Sequence, residues 1–233
     1  INIPRCLRGN TDSLSSLSTP DFNENEAVEY FKAINYKTLL AYYYIYKLQI
    51  CYIHELYDEA LGYARDAVEY LGNIKGNILE TEWVFYYAMS LFRYSLSNTI
   101  NDGERQTLRD FEKQFEQWAL LCPENFQPKY LLIKGINAYI LSHFEEAFAD
   151  FDQAIEAQDH NTPTLFKALS LELTGICWKS RNNRRIAKTY LQEAYTIYYE
   201  MKALSKAKLL FNMQSALLHS EKSFHLASTP SSQ

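Results

Sequence analysis

The chain has 233 residues, of which 47% are hydrophobic, and a formal net charge of −5. That length holds one large domain or two small ones with a sizeable core, and the acidic balance argues against a nucleic-acid partner, which ordinarily meets a basic face. With only 7 glycines and 6 prolines, the chain lacks the turn residues that sheet-rich folds use often, so helices joined by short connections are expected.

Residues 1–22, rich in Ser and Thr with Pro4 and Pro20, read as an extended lead-in. Asp21 and Asn23, followed by Glu24 and Glu26, fit the acidic first turn of a helix reaching about Ile34. The apolar and aromatic segment 36–54 has no breaker and is too long for an ordinary strand, so it reads as a helix. Tyr57, Ala60, Leu61, Ala64, Ala67, Val68 and Leu71 make one apolar helical stripe, closed by Gly72 and Gly76. An aromatic helix over 80–97, a turn at Asn101-Asp102-Gly103 and a charged amphipathic helix over 104–121 follow. Pro123 and Pro128 bracket an expected tight connection. Helical hairpins are then predicted at 129–142/144–158 and 164–180/184–200, with Thr162 as N-cap and Pro163 in the first turn of the latter. A last helix spans about Ala203 to Leu218. The tail 220–233, with Ser223, Ser228, Thr229, Pro230, Ser231 and Ser232, has the composition of a linker. The predicted organisation is therefore a lead-in (1–22), a helical repeat domain (23–219) and a Ser-rich tail (220–233).

Cys6, Cys51, Cys122 and Cys177 stand far apart with no CxxC pair, which points to reduced thiols and a cytoplasmic setting. No apolar run is long enough for a membrane span, and no signal-peptide pattern opens the chain. A start at Ile1 leads to the expectation that the chain is cut from a longer polypeptide.

Two segments share one skeleton 40 positions apart. The first is Leu131, Gly135, Ala138, Ala147, Phe151 and Ala154; the second is Leu171, Gly175, Trp178, Ala187, Leu191 and Ala194. Repeats of this length signal stacked helical hairpins. Gly135 and Gly175 sit mid-helix, where glycine costs about 1 kcal/mol relative to alanine. A cost taken twice in one register implies close approach of two backbones, with Ala147 and Ala187 facing the glycines and Phe151 and Leu191 plugging the gap between hairpins. These positions resemble tetratricopeptide repeats. A first hairpin matches in part, with Tyr44, Leu48 and Cys51 on one helix and Tyr57, Ala60, Ala64 and Ala67 on the other, and has leucine where the glycine belongs. The expectation is an all-α right-handed solenoid of about four hairpins, two of them degenerate, plus flanking helices.

Longer strings resemble one family more closely: Arg5-Cys-Leu-Arg-Gly-Asn-Thr11, Tyr46-Lys-Leu-Gln-Ile-Cys51, Trp118-Ala-Leu-Leu-Cys-Pro-Glu-Asn-Phe126, Lys129-Tyr-Leu-Leu132, Phe151-Asp-Gln-Ala-Ile155 and Tyr190-Leu-Gln-Glu-Ala-Tyr195. Together they resemble the helical region of very large bacterial signalling proteins. In that family the region follows a serine/threonine kinase-like domain and an AAA (STAND-type) ATPase, and precedes a GAF domain and often a sensor histidine kinase. The chain departs at Glu200-Met-Lys-Ala203, where the family has a tryptophan-glycine-alanine turn. The resemblance implies a non-catalytic coupling module whose partners are a protein segment or flanking domains of the same polypeptide. It supplies no catalytic residue, because the chemistry of the family lies in those domains.

In a tetratricopeptide pattern the first helix of each hairpin lines the concave side. The groove residues would be Tyr42, Ile45, Gln49, Tyr52, Lys129, Leu132, Ile136, Tyr139, Leu169, Glu172, Ile176 and Lys179. Packing between layers is the first reading of the tyrosines, and a ligand or peptide groove the second. An alternative function is an effector-sensing domain with a small-ligand pocket in the aromatic segments 36–52 and 83–94. Lys179, Arg181, Arg184, Arg185 and Lys188 cluster at one turn and read as a solvated surface before an anion contact. Cys51 and His54 have CxxH spacing, but a zinc site needs about four ligands, and no metal is expected. No general-base constellation can be assembled around His143, His160, His219 or His225, and no glycine-rich phosphate loop is present. Catalytic residues, cofactors, and nucleic-acid or membrane partners are accordingly not expected.

Overall fold

A computed structural model describes residues 3–158 and 162–227, with side chains to 215. The described residues form helices α1 (Ile3–Leu7), α2 (Glu24–Ala33), α3 (Lys37–Ile53), α4 (Tyr57–Ala67), α5 (Ile78–Ser95), α6 (Asp102–Leu121), α7 (Pro123–Ile140), α8 (Phe144–Glu156), α9 (Leu165–Ser180), α10 (Arg184–Glu200) and α11 (Leu204–Ala227). No strand occurs among them. The chain divides into two compact units, Ile1–Asp159 and His160–Gln233. In the first, α3 packs on α2, α4 and α5, while α7 lies between α6 and α8; in the second, α10 packs on α9 and α11.

One turn recurs between paired helices. A residue with left-handed backbone stands between α2 and α3 (Asn35, φ 53°), α3 and α4 (Glu55, 66°), α7 and α8 (Ser142, 67°), α9 and α10 (Asn182, 61°), and α10 and α11 (Lys202, 60°). The N–H after it bonds five residues back along the helix, as in Leu56 N to Cys51 O at 2.9 Å, His143 N to Ala138 O at 2.9 Å and Asn183 N to Trp178 O at 2.9 Å. Its own N–H bonds to the carbonyl three residues earlier, as in Asn182 N to Lys179 O at 2.9 Å. This pair of bonds is the Schellman closure, which ordinarily takes glycine at the left-handed position. Here it is made without glycine every time. Five residues beyond each left-handed residue the chain reads Leu40, Ala60, Ala147, Ala187 and Ala207, all buried.

The shared turn puts the residue seven before it opposite the residue nine after it. In two hairpins this is glycine against a large side chain. A Cβ on Gly135 would lie 2.6 Å from the Phe151 ring and 3.0 Å from the Ala147 carbonyl oxygen; on Gly175 it would lie 2.8 Å from Leu191 and 3.2 Å from the Ala187 carbonyl oxygen. The expected facing of alanine and glycine is thus observed. Phe151 and Leu191 differ from expectation, because they cover the glycine within their own hairpin. In the α3–α4 pair the same register equates Leu48 with Ala64, both fully buried. Here the large residue stands on the first helix and the small one on the second, the reverse of the two glycine hairpins. In the α10–α11 pair both partners are large, and Tyr195 meets Phe211 with ring centroids 6.2 Å apart.

Several boundaries differ from the sequence reading. Residues 3–7 of the lead-in are helical, and Cys6 and Leu17 pack with Ile50 of α3. The Tyr57 stripe ends at Ala67: the chain tightens into a 3₁₀ turn over Val68–Asn73, and Val68 is exposed. A tighter winding rotates later positions out of a 3.6-residue stripe. Gly76 (φ 74°) makes the left-handed exit. Helix α6 starts at Asp102 on a capping box of Asn101 and Glu104, inside the predicted turn. The expected connection 122–127 is helical. Pro123 begins α7, where its missing N–H is harmless, and Pro128 lies buried inside the helix. Helices α6 and α7 pair closely, so the predicted α5–α6 hairpin is the weakest of the four. Thr164 caps α9 in place of Thr162, accepting the Lys167 N–H at 3.1 Å. Helix α11 runs to Ala227, past the predicted start of the tail. Asn161, His160 and residues 228–233 lie outside the described residues.

The two kinds of glycine predict opposite outcomes. Gly135→Ala forces Phe151 to move and should destabilise by about 1–3 kcal/mol after the helix-propensity gain is offset. Gly62→Ala, in α4 with no atom within 4 Å of the added carbon, should stabilise by about 1 kcal/mol. Urea unfolding followed by circular dichroism reads both. The exchanged pair makes a second prediction: Gly135→Leu should be strongly destabilising alone, and adding Phe151→Ala should recover most of the loss. A double-mutant cycle showing simple additivity would refute the shared register.

Candidate functional site

The predicted groove residues divide by burial. Ile45, Tyr52, Leu132, Ile136, Leu169, Glu172 and Ile176 are buried, Tyr42, Gln49, Lys129 and Tyr139 are half-buried, and only Lys179 is exposed. The buried members are therefore core rather than an open groove wall. The cause is visible in α9, where Ala168 through Cys177 are buried without a break; a helix covered on every face has no side left to offer. The tyrosines follow the packing reading in large part. Tyr52 meets Tyr86 edge to face at 5.6 Å, and Tyr44 stacks on Tyr70 at 5.5 Å with rings 13° apart. Tyr139 packs on Phe92, Phe144 and Phe148. Lys129 pairs with Glu82 and lies 5.1 Å from the centre of the Phe85 ring.

The most strongly constructed polar site joins the lead-in to α2 and α3. Lys47, 3% exposed, lies 3.1 and 3.3 Å from the two carboxylate oxygens of Glu24 and also donates to the Ser15 carbonyl. Glu24 Oε2 accepts the Leu17 N–H at 2.8 Å, and the Glu24 N–H bonds Ser18 Oγ at 3.1 Å. Asn23 holds the carboxylate in place by capping α2, its side chain accepting from Asn25 and Glu26. The dipole at a helix N-terminus favours an anion there. One lysine thus fixes both a loop carbonyl and a helix start. Around it burial pushes up the Tyr43 hydroxyl, the Cys51 thiol to about 12 and the Tyr63 hydroxyl to about 12, with the Glu24 carboxylate adding to each. Burial likewise raises the Cys6 thiol. These groups are held in their neutral forms, which suits packing rather than nucleophilic chemistry.

Beside the pair lies a cavity of about 210 Å³ lined by Leu17, Phe22, Glu24, Ala27, Phe31, Leu39, Tyr42, Tyr43 and Tyr46. It belongs to the first aromatic segment read from the sequence, but half its wall comes from the lead-in and α2. The Tyr42 hydroxyl accepts from Asn77 Nδ2 at 3.0 Å.

A second buried cluster ties the three helices of the C-terminal unit. Lys206, 1% exposed, is 2.7 Å from Glu172 Oε1, and the Tyr198 hydroxyl donates to Glu172 Oε2 at 2.7 Å. Glu172, expected in the groove, is thereby an internal clasp. In the N-terminal unit Asn137 donates to the Leu108 carbonyl at 3.1 Å and to Glu112 at 2.6 Å, and Lys134 meets Asp150 at 2.7 Å. Burial raises the Glu112 carboxyl, and the Asn137 contact opposes it.

The remaining sequence candidates stay apart. Among the described residues no three His, Cys, Asp or Glu side chains converge as metal ligands. His54 is buried with Nδ1 3.0 Å from the Ile50 carbonyl, and Cys51 faces Glu59 at 3.9 Å. All four cysteines are unbridged. Lys179, Arg181, Arg185 and Lys188 are exposed around the α9–α10 turn. No described helix is long and apolar enough to cross a membrane.

Sequence reasoning passed over Lys47 and Lys206. The available signal was a lone cation at a position that the helical stripe assigns to the core, because lysine is almost never fully buried unless paired. No protein-family model, curated protein or solved structure matches the chain.

Removing one member of a buried pair strands the other charge. Lys47→Met should cost about 3–5 kcal/mol and release the lead-in. Adding Glu24→Gln, which keeps an oxygen for the Leu17 N–H, should recover part of it. Limited proteolysis within residues 8–20, accelerated in K47M and slowed again in the double variant, is the check.

Proposed function

We propose that the chain is a non-catalytic interaction and coupling module, a tetratricopeptide-like solenoid from a multidomain bacterial signal-transduction ATPase or kinase. The observation that carries this reading is the recurrence of one turn and one facing register through successive helix pairs, the mark of a fold assembled from repeated hairpins.

The partner would be a segment or domain of the same polypeptide. With the first helices largely covered, docking falls to surface that is apolar and open. Leu120 and Leu121, 80% and 85% exposed at the end of α6, are the most prominent such pair. Adjacent leucines left in water at a helix end are an anchor of the kind that binding hot spots use. The effector-sensing alternative is favoured by a different observation, the cavity beside Tyr42, Tyr43 and Tyr46.

Isothermal titration of the chain with the polypeptides flanking it in its reading frame tests the coupling reading. Binding with a dissociation constant on the order of 1 μM, weakened tenfold or more by Leu120→Ser with Leu121→Ser, is the expected result. Absence of binding to either flanking polypeptide would sink it.

A further inference from the structure

We infer that the cavity between the lead-in, α2 and α3 is a binding site for a small uncharged aromatic molecule of one or two fused rings. The inference deepens the effector-sensing alternative and is independent of docking at α6.

Size comes first. The cavity holds about 210 Å³, and an apolar protein cavity of about 150 Å³ stays dry and takes up benzene. The space here therefore suits a single ring with substituents or a fused pair, and is too small for a nucleotide.

The wall then selects chemistry. Phe22, Phe31, Tyr42, Tyr43 and Tyr46 supply aromatic surface, with Leu17, Ala27 and Leu39 filling between. Aromatic rings favour offset or edge-on partners and so prefer a flat aromatic guest to a compact aliphatic one. Tyrosines also carry hydroxyls that accept from a ring N–H or O–H.

Charge supplies the exclusion. Glu24 is the one ionisable carboxylate of the lining, and it is already committed, with Lys47 at 3.1 Å and the Leu17 N–H at 2.8 Å. A cationic guest would have to compete with a buried lysine for it. An anionic guest would face it directly. A charged head brought into such a site loses its hydration without a counter-charge. The neutral ring is what remains.

The position of the site gives the ligand something to act on. Leu17, Phe22 and Glu24 belong to the lead-in and the start of α2, whereas Leu39, Tyr42, Tyr43 and Tyr46 belong to α3. A guest would bridge the same two parts that the Glu24–Lys47 pair clasps, so occupancy and closure of the lead-in are linked by mass action.

Calorimetry and thermal shift with indole on the whole chain test the proposal. Indole should bind with a dissociation constant on the order of 1 mM or below and raise the unfolding temperature. Tryptamine and indole-3-acetate, which add a charge of either sign, should bind at least tenfold more weakly. Ala27→Leu fills the cavity from α2 and should abolish the indole response while leaving the helical circular dichroism intact; Leu39→Phe does the same from the opposite wall should A27L fail to fold. No indole response in the native chain, or an undiminished response in the filled variant, overturns the site. A response to a wider metabolite panel that survives cavity filling would overturn this site while leaving the effector-sensing reading standing.

Discussion

The architecture of five helix pairs, α2–α3, α3–α4, α7–α8, α9–α10 and α10–α11, depends on one backbone constraint, a left-handed residue that turns the chain after a helix and closes it with two hydrogen bonds. A turn of fixed length fixes the register of the helices it joins. Once register is fixed, particular pairs of positions must share one volume, and the sequence has only to keep their sum. Glycine with phenylalanine, glycine with leucine, and leucine with alanine are three solutions of that condition. Tyrosine with phenylalanine in the α10–α11 pair breaks it, and there Phe211 stays 55% exposed. Interiors packed to crystal density tolerate no mismatch of that size, so the excess side chain is left at the surface. The cost of the left-handed turn, about 1–2 kcal/mol for a residue with a Cβ, is offset by the bonds it makes and by the buried apolar residue five positions on.

Buried ion pairs do a different task. The hairpin rule places neighbours along the chain but says nothing about the lead-in or about how a third helix joins a pair. Lys47 with Glu24 and Lys206 with Glu172 act at those two places. Such pairs add little net stability relative to apolar residues of the same size, because desolvation offsets the attraction. Their effect is selective: an alternative docking of the lead-in or of α11 would leave two buried charges apart, which is far more costly than any packing error nearby.

Helix positions were legible in the sequence because period and length carry them. Helices α4, α6 and α8 follow their apolar stripes, and the Gly135 and Gly175 skeletons mark the close approach of two backbones. What was hidden has physical reasons. Prolines were read as loop brackets, although Pro123 at a helix start removes nothing and Pro128 removes a single N–H. The left-handed turns at Glu55, Ser142 and Lys202 carry no residue signature, whereas Asn35 and Asn182 use the residue that, after glycine, adopts this backbone most readily. At Leu48 and Ala64 a search for glycine at one position finds nothing, because the small residue stands on the other helix.

The candidate groove shows the same limit from the functional side. The rule that first helices face a concave surface is a statement about which residues are left uncovered, and coverage is not local. Glu172 satisfies the sequence rule, yet Tyr198 and Lys206 close over it from two other helices. A charged residue within an apolar helical run therefore admits two opposite readings, a binding contact or an internal clasp. Its partner decides between them. Glu24 and Glu172 each meet a buried lysine of a neighbouring helix, Lys47 and Lys206, so the charges face inward together. In the proposed readings recognition would fall to features that the repeat rule does not generate: the open leucines at the end of α6, and the aromatic space between the lead-in, α2 and α3.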